Sequence, residues 1–234
     1  MEAITEVSGY EAWTGWDFGR GPAEHAPEER ILRGGGGGAS LTDQELLVAL
    51  LGIDVESARR LLELHGGQLL RLFSGGPWAS SSLSPLHRSR FLAAQELACR
   101  LAAERIPQND PLCRPEDVAR YLALRYSVRD QEILGALFLS NSGALLRDSE
   151  IYRGTLDSIR VEPREILKQA LLVGAAAVLV FHTHPSGEPC PSADDMAFTL
   201  NLANAAQILG IRLVDHLVLG AEGCWRSLRD FMAW

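Results

Sequence analysis

The chain has 234 residues, 47% of them hydrophobic and 22% charged, which is enough apolar material for one moderate domain or a small domain attached to a larger one. Its formal net charge of −8 argues against strong sequence-independent DNA binding, which requires many basic side chains to neutralise phosphates. The longest apolar run is too short to span a bilayer, the N-terminus lacks a signal-peptide profile, and the four cysteines form no Cys-x-x-Cys pair. We therefore expect a cytoplasmic protein without a membrane span or a disulfide framework.

Residues 1–38 are predicted to be a disordered tail. Glycine and proline are frequent there, and apolar periodicity is lacking. Trp13 and Trp16 are unusual in such a tail. They either pack on the neighbouring domain, the interpretation we favour, or form a docking motif.

Residues 39–106 are predicted to form a small helical domain. A first helix begins near residue 41, where Ser40 or Thr42 can cap it, and further helices are expected over 55–65, 68–73 and 85–106. The apolar positions of the long fourth helix predict a stripe that faces the core, made of Phe91, Leu92, Leu97 and Leu101.

Residues 107–113 are predicted to be a linker, and residues 114–234 to be a second domain that mixes strands and helices. The apolar patterns and turn residues in this domain do not alternate strictly as strand, helix, strand, which favours an α/β sandwich of the α+β class. We predict helices over 114–126, 163–173 and 192–209, and strands over 132–140, 144–152, 155–161, 178–180 (the end of the apolar run 175–180), 212–219 and 224–227.

Two histidines follow the buried strand that ends at Val180. If the extended chain continues, His182 and His184 point to the same face, because strand side chains repeat every two residues. Two imidazoles on one face are good zinc ligands, and a catalytic zinc usually has three protein ligands and one open position. Asp195, in the first turn of the helix that follows a Pro- and Gly-rich loop, is placed to be the third.

Each part of this pattern also has an ordinary explanation. His-x-His alone is weak, since strand ends carry histidines for many reasons. Ser192-x-x-Asp195 is also a capping box, in which the serine and the acid satisfy the backbone at a helix start. The combination of both histidines, a Pro-Ser-Gly turn, Ser192 and Asp195 at these distances is what favours a metal site.

His182-Thr183-His184, seven residues, Ser192, two residues and Asp195 resemble the signature of the JAMM (MPN/JAB) metalloproteases. The longer string from His182 to Ser192, with the downstream segment 215–220, resembles the bacterial RadC-like branch, and the similarity covers roughly residues 27–228. It implies the MPN/JAB, cytidine-deaminase-like fold, one zinc ion and hydrolysis of a peptide or isopeptide bond by a zinc-activated water. RadC-like members usually read His-Asn-His, so Thr183 matches the proteases of the family better.

The resemblance also implies roles for two further residues. The general acid/base of the family falls on Glu132, at the start of the first strand; Glu188 is the alternative, and Glu150 and Glu162 are weaker ones. Ser192 corresponds to a serine thought to donate to the oxyanion, although the N-cap role competes for its geometry.

Three other polar residues lie near the motif without an assigned role. Asp194 is expected to be exposed, because the spacing of the motif selects its neighbour. Cys190 could coordinate zinc but is expected not to, since a fourth ligand would close the site. His216 is expected to be a packed histidine, although a hydrogen bond to a metal ligand is conceivable.

The helical block resembles the helix-hairpin-helix-like domain that precedes the catalytic domain in RadC-like proteins. The expected Gly-x-Gly hairpin is reduced here to Gly52-Ile53-Asp54, so phosphate binding by backbone N–H groups is doubtful, and a partner-binding role is at least as good an interpretation. Two alternatives to a peptidase therefore remain: a non-catalytic DNA repair or recombination accessory, and a partner-binding scaffold with a structural metal.

Overall fold

The computed structural model describes six segments of the chain. The first three of these segments contain helices α1 to α5, which are Pro27–Arg33, Asp43–Leu51, Val55–Leu64, Leu69–Phe73 and Pro85–Glu104. Thr42 caps α2 and Asp54 caps α3, each through a side-chain oxygen that accepts a backbone N–H bond. The described residues are 26–33, 37–73, 83–104, 114–126, 131–154 and 161–234.

Helix α1 corrects the predicted extent of the disordered tail. Residues 27–33 are helical, and Arg30 forms an ion pair with Glu45 of α2. Trp13 and Trp16 lie outside the described residues, so both interpretations of them stay open. The helices pack around a small apolar core of their own, formed chiefly by Leu47, Leu51, Leu61, Leu72 and Phe91.

The predicted apolar stripe of α5 is wrong for three of its four positions. Phe91 is fully buried, but Leu92, Leu97 and Leu101 are 45%, 61% and 63% exposed. The buried positions are instead Phe91, Cys99 and Ala102. These side chains share one face of a helix of 3.6 residues per turn. Because two of them are small, α5 can approach the neighbouring helix closely.

The second half of the chain is built on one five-stranded sheet. Its strands β1 to β5 are Glu132–Leu139, Leu145–Gly154, Ala177–Thr183, Arg212–Leu219 and Trp225–Ser227, in the spatial order β2-β1-β3-β4-β5. Only β3 and β4 run parallel; every other neighbouring pair is antiparallel. The predicted third strand over 155–161 falls mostly outside the described residues, and Val161 is not in a strand.

Helices cover both faces of this sheet. Helix α6 (Pro115–Arg125), with Cys99 and Ala102 of α5, packs on one face, against the odd-numbered apolar side chains of β1 and β3 such as Leu137 and Leu179. Helices α7 (Pro163–Leu172) and α8 (Ala193–Ile208) pack on the other, against even-numbered side chains such as Phe138. The prediction of an α+β fold is therefore confirmed.

An acidic side chain of β2 ties the helices to the sheet. Asp148 accepts hydrogen bonds from the Tyr121 hydroxyl at 2.6 Å and from Arg125 Nε at 2.8 Å. Arg125 Nη1 in turn donates to Glu96 Oε2 of α5 at 3.0 Å. The long helix of the N-terminal block is thereby joined to the sheet through α6.

Among the described helices, none is at once long enough and apolar enough to cross a membrane.

Candidate metal centre

The polar side chains of interest converge at one end of the sheet, on the face covered by α8. Leu134 of β1 pairs with His182 of β3, so Glu132, two residues earlier, lies across from the point where the chain reaches His184. Glu132, His182 and His184 each offer one ligand atom, and these three atoms lie within 4.8 Å of one another. Strand alternation has thus brought residues distant in sequence to one place.

The two imidazoles face each other. Nε2 of His182 and Nε2 of His184 are 2.9 Å apart. Asp195 approaches both, with Oδ1 3.5 Å from His182 Nε2 and Oδ2 4.0 Å from His184 Nε2. The structure therefore brings all three predicted metal-binding residues together.

Ser192 and Asp195 do form the capping box that opens α8. The Ser192 N–H and hydroxyl both donate to Asp195 Oδ2, at 2.7 and 2.6 Å, and Ser192 Oγ accepts from the Asp195 N–H at 3.1 Å. These bonds use Oδ2 and leave Oδ1 directed toward His182. The capping interpretation and the metal-binding interpretation are therefore compatible, since they use different carboxylate oxygens.

His184 is oriented by the loop that follows it. Its Nδ1 lies 2.9 Å from the carbonyl oxygen of Glu188, and its backbone N–H donates to the Leu219 carbonyl at 2.9 Å. The Ala221 N–H holds the loop by donating to Gly187 O, and at Gly220 an added Cβ would lie only 2.4 Å from that oxygen. The close approach requires glycine, and it anchors the loop to the end of β4.

Glu132 is buried, although a glutamate at a strand start is usually solvated. It is 5% exposed, and none of the described residues hydrogen-bonds to its Oε2. Burial, and to a lesser degree the charge of Asp195, raises the pKa of Glu132 to about 7. A buried carboxylate oxygen without a partner is unusual and calls for a ligand or a chemical role.

A side-chain hydrogen bond on the opposite face of the sheet from the two imidazoles holds the start of β1, which carries Glu132, against β3. Thr183, which stands between the two histidines in the sequence, is fully buried. Its Oγ1 accepts a hydrogen bond from the Ile133 N–H at 3.0 Å. The backbone pairing of β1 and β3 ends at Leu134, and this side-chain hydrogen bond joins the two strands one residue beyond that point. The residue adjacent to Glu132 is thus held against the residue between the two histidines.

The site fits a zinc ion by the chemistry of its donors. Two imidazole nitrogens and a carboxylate oxygen are ordinary zinc ligands, and two nitrogens on one tetrahedral zinc stand roughly 3.3 Å apart, near the spacing found here. A carbonyl oxygen can only accept, so His184 Nδ1 donates to Glu188 O, which leaves Nε2 as the nitrogen of this ring that could bind a metal. Burial lowers the pKa of His182 to about 4 against the opposing charge of Asp195, which favours the neutral imidazole that a metal binds.

Known proteins resemble most of this chain. Residues 112–232, slightly more than half of the chain, match the RadC-like JAB domain. The chain belongs to this family. A UPF0758 protein of Xanthomonas axonopodis pv. citri is 37% identical over 209 residues, covering 85% of this chain and 91% of the relative. A UPF0758 protein of Xylella fastidiosa is 35% identical over 207 residues, covering 85% and 92%. The predicted resemblance to the RadC-like branch is confirmed.

Other acidic groups of this RadC-like JAB domain lie away from the centre. Asp194 is exposed, and Glu188 reaches His184 only through its backbone carbonyl. Glu150 is paired with Arg153, and Glu162 precedes α7 with an exposed side chain. Cys190 is exposed in the loop.

Two buried residues lie behind His182, and the sequence analysis considered such a contact for only one of them, His216. His216 of β4 was expected to be packed, and it is, but its Nε2 also lies 2.8 Å from His182 Nδ1. Thr199 of α8, which the sequence analysis passed over, lies 2.6 Å from His216 Nδ1. The spacing of Thr199 four residues after Asp195, on the same helix face, was the pattern that could have indicated it.

Proposed function

We propose that this chain is a zinc-dependent metallopeptidase of the JAB type that hydrolyses a peptide or isopeptide bond. The match to the RadC-like JAB domain supports a JAB-type fold, and the side chains of the candidate site support hydrolysis. The observation that carries the proposal is the approach of Asp195 to the facing nitrogens of His182 and His184. Beside them lies the buried Glu132, whose Oε2 has no hydrogen-bond partner among the described residues.

In this proposal His182, His184 and Asp195 hold the metal. Three protein ligands with one open position are typical of catalytic zinc, whereas structural zinc is usually closed by four. When bound, zinc supplies Lewis acidity and lowers the pKa of a water molecule in the open position. Glu188, through its carbonyl, keeps His184 oriented for this role.

Glu132 would move the proton. Amide hydrolysis requires a base that takes a proton from the attacking water and an acid that delivers one to the leaving nitrogen, and a single carboxylate can do both in turn. The Glu132 oxygen that has no partner among the described residues is free for this task. The bond between Thr183 and the Ile133 N–H limits how far the start of β1 can move, which keeps Glu132 beside the two imidazoles.

The contacts of Ser192 support a role in orienting Asp195. A hydroxyl has a single proton, and that of Ser192 is donated to Asp195 Oδ2. Donation to an oxyanion, as the family resemblance implies, would require the hydroxyl to turn away from the capping box. That role remains a separate proposal.

Hydrolysis can be tested without knowing the substrate. We expect the zinc-loaded chain to produce new termini in a mixture of proteome-derived peptides and synthetic peptides branched through a lysine ε-amide, as detected by mass spectrometry. The zinc-stripped chain should produce none, and restored zinc should recover them. Equal cleavage by the zinc-loaded and zinc-stripped chains, or no cleavage of either kind of peptide, would contradict the proposal.

The helical block gives little support to a DNA-binding function. Gly52 has a left-handed conformation (φ 70°), as in a hairpin turn, but the N-terminus of α3 behind it is capped by a negative charge. The Asp54 carboxylate accepts from the Ser57 N–H at 2.9 Å and from the Ser57 hydroxyl at 2.7 Å. A phosphate would have to displace this carboxylate to reach the helix N–H groups.

We therefore expect weak binding of DNA. At physiological ionic strength the dissociation constant for a fluorescent random-sequence duplex should be larger than about 10⁻⁴ M, the upper limit of ordinary non-specific binding. Fluorescence anisotropy over a salt titration measures this. Tight binding that weakens steeply with salt would instead support the DNA repair accessory.

A further inference from the structure

A chain of hydrogen bonds runs behind the metal centre and connects two of the residues that face it. Thr199 Oγ1 lies 2.6 Å from the carbonyl oxygen of Asp195 and 2.6 Å from His216 Nδ1. His216 Nε2 lies 2.8 Å from His182 Nδ1. Thr199, His216 and His182 are all buried. The chain spans α8, β4 and β3, and it ends at the ring whose Nε2 faces the centre.

The first bond determines the direction of the others. A carbonyl oxygen only accepts, so the single Thr199 proton is donated to Asp195 O. The Thr199 oxygen then accepts from His216, which places a proton on His216 Nδ1. When Nε2 of His182 binds the metal, Nδ1 carries the proton of the ring and can only donate. His216 Nε2 is therefore unprotonated and accepts from His182 Nδ1.

We propose that Thr199 and His216 are positioning residues that fix the tautomer of His182, so that its unprotonated Nε2 faces the metal. Neither residue touches the centre itself; both act through His182. This inference rests on the proposed zinc site, which it deepens by assigning the groups that prepare one of its ligands. Metal-binding histidines generally donate their second N–H to an acceptor, and here the acceptor is another imidazole rather than a carbonyl or a carboxylate.

The reverse order of protons would have the opposite effect. If Thr199 donated to His216, each proton would move one place along the chain, and His182 would carry its proton on Nε2. In the metal-free chain that proton would be donated to His184 Nε2, 2.9 Å away, and metal binding would have to displace it. The contact of 2.6 Å between Thr199 Oγ1 and the Asp195 carbonyl oxygen opposes this order, because two oxygens this close require a proton between them.

The tautomer can be measured in the zinc-stripped protein. In the full chain labelled with ¹⁵N-histidine, long-range ¹H–¹⁵N spectra should assign His182 as the Nδ1–H form and His216 likewise. Thr199→Val keeps the shape of the side chain but removes the hydroxyl. We expect it to abolish the tautomer preference of His182 and to weaken zinc binding by about 10- to 100-fold, the range for residues that support a metal ligand.

Thr199→Ser is the matched control, since it restores the hydroxyl, and it should return both readouts toward the wild type. A wild-type His182 protonated at Nε2 would overturn the proposal, and so would a Thr199→Val variant with unchanged tautomer and zinc affinity. The wild-type spectrum decides even if the valine variant does not fold. If the wild type bound no zinc, the proposed peptidase would fail, while the spectrum would still decide the tautomer.

Discussion

Replacing Glu132 with Gln is expected to lower the rate of hydrolysis by about 10²- to 10⁴-fold, the usual contribution of a general acid/base. Glutamine has nearly the shape of glutamate but cannot take up and release the proton. Because Glu132 is not one of the three proposed zinc ligands, the zinc content should stay unchanged. Steady-state kinetics on a peptide that the wild type cleaves, with zinc measured by atomic spectroscopy on the same samples, tests both parts.

Glu162→Gln is the matched control for this experiment. It makes the same chemical change in another glutamate that the sequence analysis considered, and its side chain is exposed and away from the centre. Activity retained in Glu132→Gln would remove Glu132 as the acid/base. A cellular function that also survived this change would favour the scaffold with a structural metal.

Replacing His182 with Ala is expected to reduce bound zinc from about one ion per chain to a small fraction of that value. The change removes one of the three proposed ligands and the ring that contacts His216. Metal analysis after exhaustive dialysis gives the stoichiometry. Circular dichroism on the same samples shows whether the variant is folded, since His216 loses a buried partner.

Two neighbouring aspartates provide the control for ligand identity. Asp195→Asn and Asp194→Asn make the same change in charge in the first turn of the same helix, but only Asp195 approaches the imidazoles. Zinc affinity should therefore fall for Asp195→Asn and stay near that of the wild type for Asp194→Asn. Full zinc content in His182→Ala, or equal losses in the two aspartate variants, would place the metal elsewhere.

Much of the architecture could be predicted because local patterns and the packed structure agree. The strand over 212–219 has the predicted bounds, and helix α8 begins one residue after the serine that caps it. The stripe on α5 failed for a physical reason. Periodicity identifies the faces of a helix but not which one finds a partner, and here Cys99 and Ala102 meet α6 while three leucines stay exposed.

The centre was predictable only where its residues are close in sequence. The spacing of His182, His184 and Asp195 was informative because one strand end and the next helix start supply all three. The burial of Glu132 was not, since it depends on the pairing of strands fifty residues apart. Thr199 was missed because a threonine in the middle of a helix is ordinary until its hydroxyl is found against His216.

The contact of Thr183 changes how the spacer between the two histidines should be regarded. Its side chain lies on the opposite face of β3 from both imidazoles and accepts the N–H that follows Glu132. The middle position of His-x-His is thus under a chemical requirement of its own: it needs a short side chain with an acceptor. A pattern search that demanded Ser, Thr, Asn or Asp at this position, together with an acidic residue at the start of an upstream strand, would select complete centres more sharply than the two histidines alone.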